Sequence, residues 1–322
     1  MKKMMFGLCA AAAACLAHAE TRWDLPSGYA VNTFQVQNLQ QFVQDVGKAS
    51  GGKLKITVHP NASLFKANEI KRTVQSGQVA IGEFILSGAA NEAAVYGVDS
   101  IPFLATSYAD SKRLDQSSRP LLVKTLGAQG MKLLYTVPWP AQSLYSVKPV
   151  TALKDLKGTK MRAYNPATSA IANLIGAQPV TIQLAELSAA LATGTVDNFL
   201  TSSASGVDSK LYESVKYFYG VAAWLPRNAV VVNQKAFDSL DKATQDAVLA
   251  QAAIAEQRGW ALSEQKDQEY LKELAAKGMQ VDVSAENLKK ELKTVGERMT
   301  ADWIKTAGDD GKAVIDAYNG KK

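Results

Sequence analysis

The sequence predicts an α/β fold of two open domains, each a sheet flanked by helices, spanned by one long helix. Three observations carry this. Residues 155–199 alternate strand and helix signals: a turn at Lys157-Gly158, a short strand carrying Arg162, a helix start at Asn165-Pro166, a second helix over 186–191 stopped by Gly194, and a strand over 196–200. That alternation is the repeat of an open α/β sheet. Tryptophan and proline coincide twice, at Pro138-Trp139-Pro140 and Trp224-Leu225-Pro226. Proline fixes the backbone and removes a donor, which suits strands crossing between domains better than a sheet centre. Finally, residues 241–277 contain no proline, and a helix of roughly 37 residues at 1.5 Å each would reach about 55 Å, longer than one domain is wide.

The remaining elements follow in chain order. Lys2 and Lys3, the apolar run from Phe6 to Leu16 and the Ala17-His18-Ala19 site form a signal peptide, with cleavage after Ala19 and secretion expected. The apolar run is too short to span a bilayer. Residues 23–25 read as the first strand, and 38–50 as a helix whose core stripe is Leu39, Phe42, Val43 and Val46, closed by Gly51-Gly52. A strand over 53–58 turns at His59-Pro60-Asn61, and a short helix covers 68–75. The apolar run 79–86 reads as a strand buried on both faces of a parallel sheet. A helix over 107–126 and a strand over 131–137 complete the first unit. The chain returns through 215–232 to the long helix, which has Gly259-Trp260 as a candidate bend and Gly278 as its stop. A strand at 281–283 and closing helices over 287–318 end the chain. The division expected is residues 20–138 with 227–266 in one domain and 139–226 with 267–322 in the other, with hinge crossings near 138–146 and 222–230.

Composition narrows the function. The chain has 322 residues, 47% of them hydrophobic, enough for two domains with real cores. Cys9 and Cys15 both lie in the signal segment, so the mature protein carries no disulfide, thiol nucleophile or thiolate metal site. Loss of Lys2 and Lys3 lowers the formal charge from +6 to +4, and the charges are interspersed rather than blocked. That pattern argues against a nucleic-acid partner. His59 is the only histidine beyond the signal, so neither a histidine metal cluster nor a Ser-His-Asp triad is expected, and no glycine-rich phosphate loop is visible. No cofactor is expected.

Arg162 is the leading site candidate. It leaves a strand beside a helix that Asn165 can cap and Pro166 can begin. The helix N-terminus brings unpaired N–H groups and a positive dipole end, and the guanidinium offers two parallel donors; together these suit a carboxylate. Trp139, Trp224, Phe84 and Tyr164 are candidates for apolar walls, since small-ligand pockets are largely apolar with a few placed polar groups. Asn32 and Ser27, in the first strand-to-helix loop, are candidates from the other domain.

The runs LKGTKMRAYNPAT, GAQPV and AELSAALATGTVDNF, preceded by GKLKITVHPNASLFKANEIKRTVQSGQVAIG and SIPFL, resemble the extracytoplasmic solute-binding proteins of tripartite ATP-independent periplasmic (TRAP) transporters along nearly the whole mature chain. The resemblance implies a class II-like periplasmic binding protein fold and a carboxylate partner for Arg162. It places Gln142 where relatives often carry a second polar or basic contact. Because Gln142 is neutral, a monocarboxylate is favoured. It also places Thr201 at a polar ligand contact. Relatives that bind a cation use an acid shortly after the VD pair, where this chain has Asn198-Phe199-Leu200-Thr201, so no metal is expected.

The function expected is capture of a small organic acid, an aromatic or 2-oxo monocarboxylate among the candidates, by a monomeric non-enzymatic receptor that delivers it to membrane permease subunits. Two other readings stay open: a ligand-binding protein serving a sensor kinase, and a secreted hydrolase or lyase using Glu83 or Glu186 as base.

Overall fold

The computed structural model describes residues 20–321; the signal peptide read from residues 1–19 lies outside them. The chain runs β1 (Thr21–Pro26), α1 (Phe34–Ala49), β2 (Leu54–His59), α2 (Ile70–Gln75), β3 (Ile81–Ile85), α3 (Tyr108–Ala128) and β4 (Met131–Pro138). It continues through β5 (Ser143–Ser146), β6 (Lys160–Ala163), α4 (Pro166–Leu174), β7 (Gln178–Thr181), α5 (Leu184–Ala192), β8 (Asn198–Thr201), α6 (Ser203–Asp208) and β9 (Tyr217–Tyr219). It ends with β10 (Arg227–Asn233), α7 (Gln234–Asp238), α8 (Lys242–Ala276), β11 (Gln280–Asp282) and α9 (Glu286–Tyr318).

The first unit pairs β1 with β2 in parallel, and β10 lies between β3 and β4, antiparallel to both. The run 79–86 is therefore a buried strand, but not of a parallel sheet. Its apolar character reflects cover on both faces, which an antiparallel strand shares when helices such as α2 pack on it. Helix α1 starts at Phe34, four residues earlier than the expected start at 38, because the Thr33 side chain accepts from Val36 N and sets the N-terminus.

The second unit is a six-stranded sheet in the order β11-β9-β5-β8-β6-β7, with β6 parallel to both β7 and β8. This contains the strand–helix repeat read from residues 155–199. The two Trp/Pro segments run side by side between the units: Trp139 N donates to Pro226 O, Gln142 N to Trp224 O and Ala223 N to Gln142 O, each at 2.8 Å. Just beyond them, Arg227 is fully buried and ion-paired to Asp99 and Asp115, which anchors the returning segment to the first unit.

Helix α8 is continuous through Gly259, with no break in its helical path there. The glycine instead admits close approach: a Cβ on it would lie 2.4 Å from a methyl of Val137. Val248, Ala252 and Ala255 pack into the first unit's core, and Leu274, at the far end, joins Leu187 and Phe218 in the second. The closing helix departs from the expected division. Leu288 and Leu292 of α9 pack in the second core, but beyond them Trp303 Nε1 donates to Ala94 O, Tyr318 OH to Leu104 O, and Val314 packs with Val98, Ile101 and Leu114 of the first unit. Its far end is thus not part of the second domain. Gly308, with φ 62° and ψ −145°, interrupts the helical path along the way. No helix among the described residues is long and apolar enough to cross a membrane.

Candidate ligand cleft between the two units

Arg162 sits on β6, flanked by Val180 of β7 and Phe199 of β8, so its position follows from the sheet register. Its Nε donates to Ile182 O at 2.9 Å, and the guanidinium carbon lies 4.9 Å from the centre of the Tyr164 ring. The side chain is buried, and no carboxylate pairs with it among the described residues. Burial without a counter-ion lowers its pKa from 12.5 to about 10, which still leaves it a cation at neutral pH. Three residues on, Asn165 caps α4: its Oδ1 accepts from Thr168 N at 2.7 Å, and Pro166 follows as the first helical residue.

The facing wall comes from the first unit. Glu83 on β3 is buried; Ser27 Oγ donates to its Oε2 at 2.5 Å and Asn228 Nδ2 to its Oε1 at 2.9 Å. Asn228 Oδ1 accepts from Trp139 Nε1 at 2.9 Å and from Tyr29 OH at 3.2 Å. The Tyr29 and Trp139 rings pack with centroids 4.9 Å apart. Tyr29 is held in place by the loop after β2, where Asn61 N donates to its carbonyl and Ala62 N to that of Ser27. Burial pushes the Glu83 carboxyl and the Tyr29 hydroxyl above their ordinary pKa values.

Between these walls lies a cavity of about 260 Å³. Six of the expected ligand contacts line it: Arg162, Gln142, Thr201, Trp139, Phe84 and Tyr164. Tyr164 OH donates to Gln142 Oε1 at 3.4 Å, and Gln142 Nε2 to Pro140 O at 3.1 Å.

One expected wall residue, Trp224, and one expected contact from the other domain, Asn32, lie elsewhere. Trp224 is fully buried in the second core with Leu144 and Val150 and does not line the cavity; its backbone supports the cleft by accepting from Gln142 N. The chain direction in that crossing turns the indole inward, which the Trp/Pro pattern does not reveal. Asn32 is exposed, donates to Asp208 O at 3.2 Å and does not line the cavity. Ser27 also lies behind the wall and reaches the cleft only through Glu83.

In the sequence Glu83 stands out only as a candidate catalytic base, and Tyr29 does not stand out at all. An acidic residue inside the apolar strand 79–86 was the available signal. Glu186 lines the cavity too, but its Oε2 accepts from Gln183 N at the start of α5, the ordinary role of an acid in a first helical turn. Lys66 and Arg72 stand exposed at the mouth, and Lys71 is paired with Glu92. Among the described residues no group of three or more His, Cys, Asp or Glu side chains gathers to hold a metal.

The sequence model of the DctP family, the bacterial extracellular solute-binding proteins of family 7, matches residues 27–306. The chain belongs to this family. DctP proteins are the solute receptors of TRAP transporters; they bind small solutes outside the cytoplasmic membrane and work with membrane permease subunits. One structural relative of this DctP protein is DctP6 of Bordetella pertussis, solved as a receptor binding pyroglutamic acid. It is 52% identical, with TM-score 0.92, covering 94% of this chain and all of that one. A marine metagenome TRAP solute-binding protein, solved with co-purified pyroglutamate, is 41% identical with the same TM-score and covers 94% of this chain and 99% of its own. A Haemophilus influenzae protein is 30% identical over 279 residues, 84% of each chain.

Proposed function

We propose that this DctP protein is a periplasmic, non-catalytic receptor for pyroglutamate or a closely similar small cyclic monocarboxylate, which it closes around and passes to its permease. The observation that carries the reading is Arg162: a buried cation facing a cavity, held by one backbone bond, with its remaining N–H groups free of any carboxylate. A cation desolvated without a partner is costly, and a ligand carboxylate making two charge-assisted hydrogen bonds offsets that cost. The pyroglutamate receptors at 41% and 52% identity support the acid's identity. That acid is a monocarboxylate, as the neutral Gln142 favours, but is neither aromatic nor a 2-oxo acid. Tyr164, Trp139 and Phe84 form apolar walls for its ring, with Gln142 and Thr201 as polar contacts. The paired crossings at 138–142 and 223–226 serve as hinges on which the units open and close. Lys66 and Arg72 at the mouth favour the approach of an anion.

The test is calorimetry and thermal shift of mature protein freed of ligand, on a panel of organic acids, repeated with Arg162→Ala. Pyroglutamate is expected to bind and raise the melting temperature, to do neither with the variant, and to be recovered unchanged. A panel in which no acid binds, or binding that the variant retains in full, would reject the reading.

A further inference from the structure

The cavity has a cation on one wall and an acid on the other, and the two do not neutralise each other. Arg162 stands on β6 of the second unit and Glu83 on β3 of the first; both are buried, both line the cavity, and no ion pair joins them. Were the site built for a carboxylate alone, a buried acid facing it would oppose binding. An acid there is consistent with a ligand that also brings a donor.

The hydrogen-bond polarity around Glu83 supports this. An indole N–H can only donate, so Trp139 Nε1 requires the oxygen of Asn228 to face it, at 2.9 Å. The Asn228 amide nitrogen then faces Glu83 Oε1, at 2.9 Å, and can only donate. Glu83 accepts there, and the Ser27 hydroxyl at 2.5 Å supplies a second donor on Oε2. The chain from Trp139 through Asn228 orients the carboxylate as an acceptor, and each of its oxygens retains lone-pair capacity.

Resting on the reading of the cleft as a carboxylate site with Arg162 as its anchor, we infer that Glu83 is the specificity-determining residue for a second group of the ligand, accepting an N–H and selecting acids that carry one. The two groups are read by different units, so an acid carrying both contacts each wall of the cleft. An acid with the same shape but only acceptors leaves Glu83 facing an oxygen. Sites built to hydrogen-bond a ligand N–H or O–H reject analogues lacking it because the buried partner is left unpaired.

The experiment compares L-pyroglutamate with its lactone isostere, 5-oxotetrahydrofuran-2-carboxylate, in which a ring oxygen replaces the N–H, by calorimetry on the mature protein and on Glu83→Gln. The wild type is expected to bind the lactam about 100-fold or more tighter than the lactone, in line with a hydrogen bond to a charged acceptor. Glu83→Gln is expected to shrink that ratio by about tenfold or more, mainly by weakening lactam binding. Equal binding of the two acids by the wild type overturns the inference even if the variant fails to fold, and so does a folded variant that keeps the full ratio. If the lactam preference holds while Arg162→Ala binds normally, the anchor reading fails instead. Binding of neither acid by the wild type removes the ligand reading and the inference with it.

Discussion

Asn165 of the second unit donates its side-chain Nδ2 to Ser87 Oγ of the first at 2.8 Å, in a buried contact across the cleft. The same side chain caps α4 through Oδ1, so one residue both starts the helix beside Arg162 and ties the units together. The two roles are separable. Ser87→Ala leaves the cap intact and removes a bond available only when the units meet; the expected result is an almost unchanged ligand-free melting temperature with ligand affinity weakened by about tenfold. Asn165→Ala loses the cap as well, with an expected cost of about 1 kcal/mol in the ligand-free protein. Calorimetry paired with denaturant unfolding distinguishes these outcomes.

Arg162 is placed for binding at the expense of stability. Its pKa, lowered from 12.5 to about 10 by burial, corresponds to roughly 3 kcal/mol of unfavourable desolvation at neutral pH. Removing the bond to Ile182 O returns about 1 kcal/mol of cost. Arg162→Met should therefore leave the ligand-free protein as stable as the wild type or up to ~2 kcal/mol more stable, while abolishing ligand binding. Urea unfolding of ligand-stripped samples checks the sign. A variant destabilised by several kcal/mol would show that the arginine is structural.

Asp208 makes stability depend on pH. It is mostly buried, its Oδ2 has no partner, and burial pushes its pKa up from 3.8 to about 7 despite a hydrogen bond from Tyr270; Glu273 adds to the rise and Lys266 opposes it. An acid whose folded pKa is raised is neutral in both states below pH 4 and charged in both above 7. Its stabilising contribution is therefore present at low pH and lost as pH climbs from about 4 to about 7. Asp208→Asn should remove that loss, giving a melting temperature a few degrees above wild type at pH 8 and a gap that closes toward pH 4. A pH-independent gap would contradict it.

Gly259 tests the close packing of α8 on β4. Alanine is ordinarily the better helix former by about 1 kcal/mol. Here its methyl would lie 2.4 Å from Val137 Cγ2 and 2.8 Å from Asn38 Nδ2. Gly259→Ala should destabilise by about 1–3 kcal/mol, measured by denaturant unfolding; stabilisation would mean the helix shifts freely.

Local chemistry wrote much of this protein into its sequence. Strand and helix periodicities are set by which side of each element meets the core, and caps such as Asn165-Pro166 and stops such as Gly194 depend only on neighbouring atoms, so the elements around Arg162 could be read residue by residue. The Trp/Pro pairs fall in two segments that hydrogen-bond to each other, and proline is legible there because it acts on its own backbone. Tertiary structure decided what depends on chain direction and on distant partners. The orientation of β10 between β3 and β4 made the apolar run 79–86 antiparallel. The turn of the second crossing sent Trp224 into the core while Trp139 faced the cleft. The far half of α9 returned to the first unit because its apolar stripe met Val98 and Ile101 there. Glu83 was visible as an acid in an apolar strand, yet its opposition to Arg162 exists only once two sheets, built from strands distant in sequence, close on one cavity.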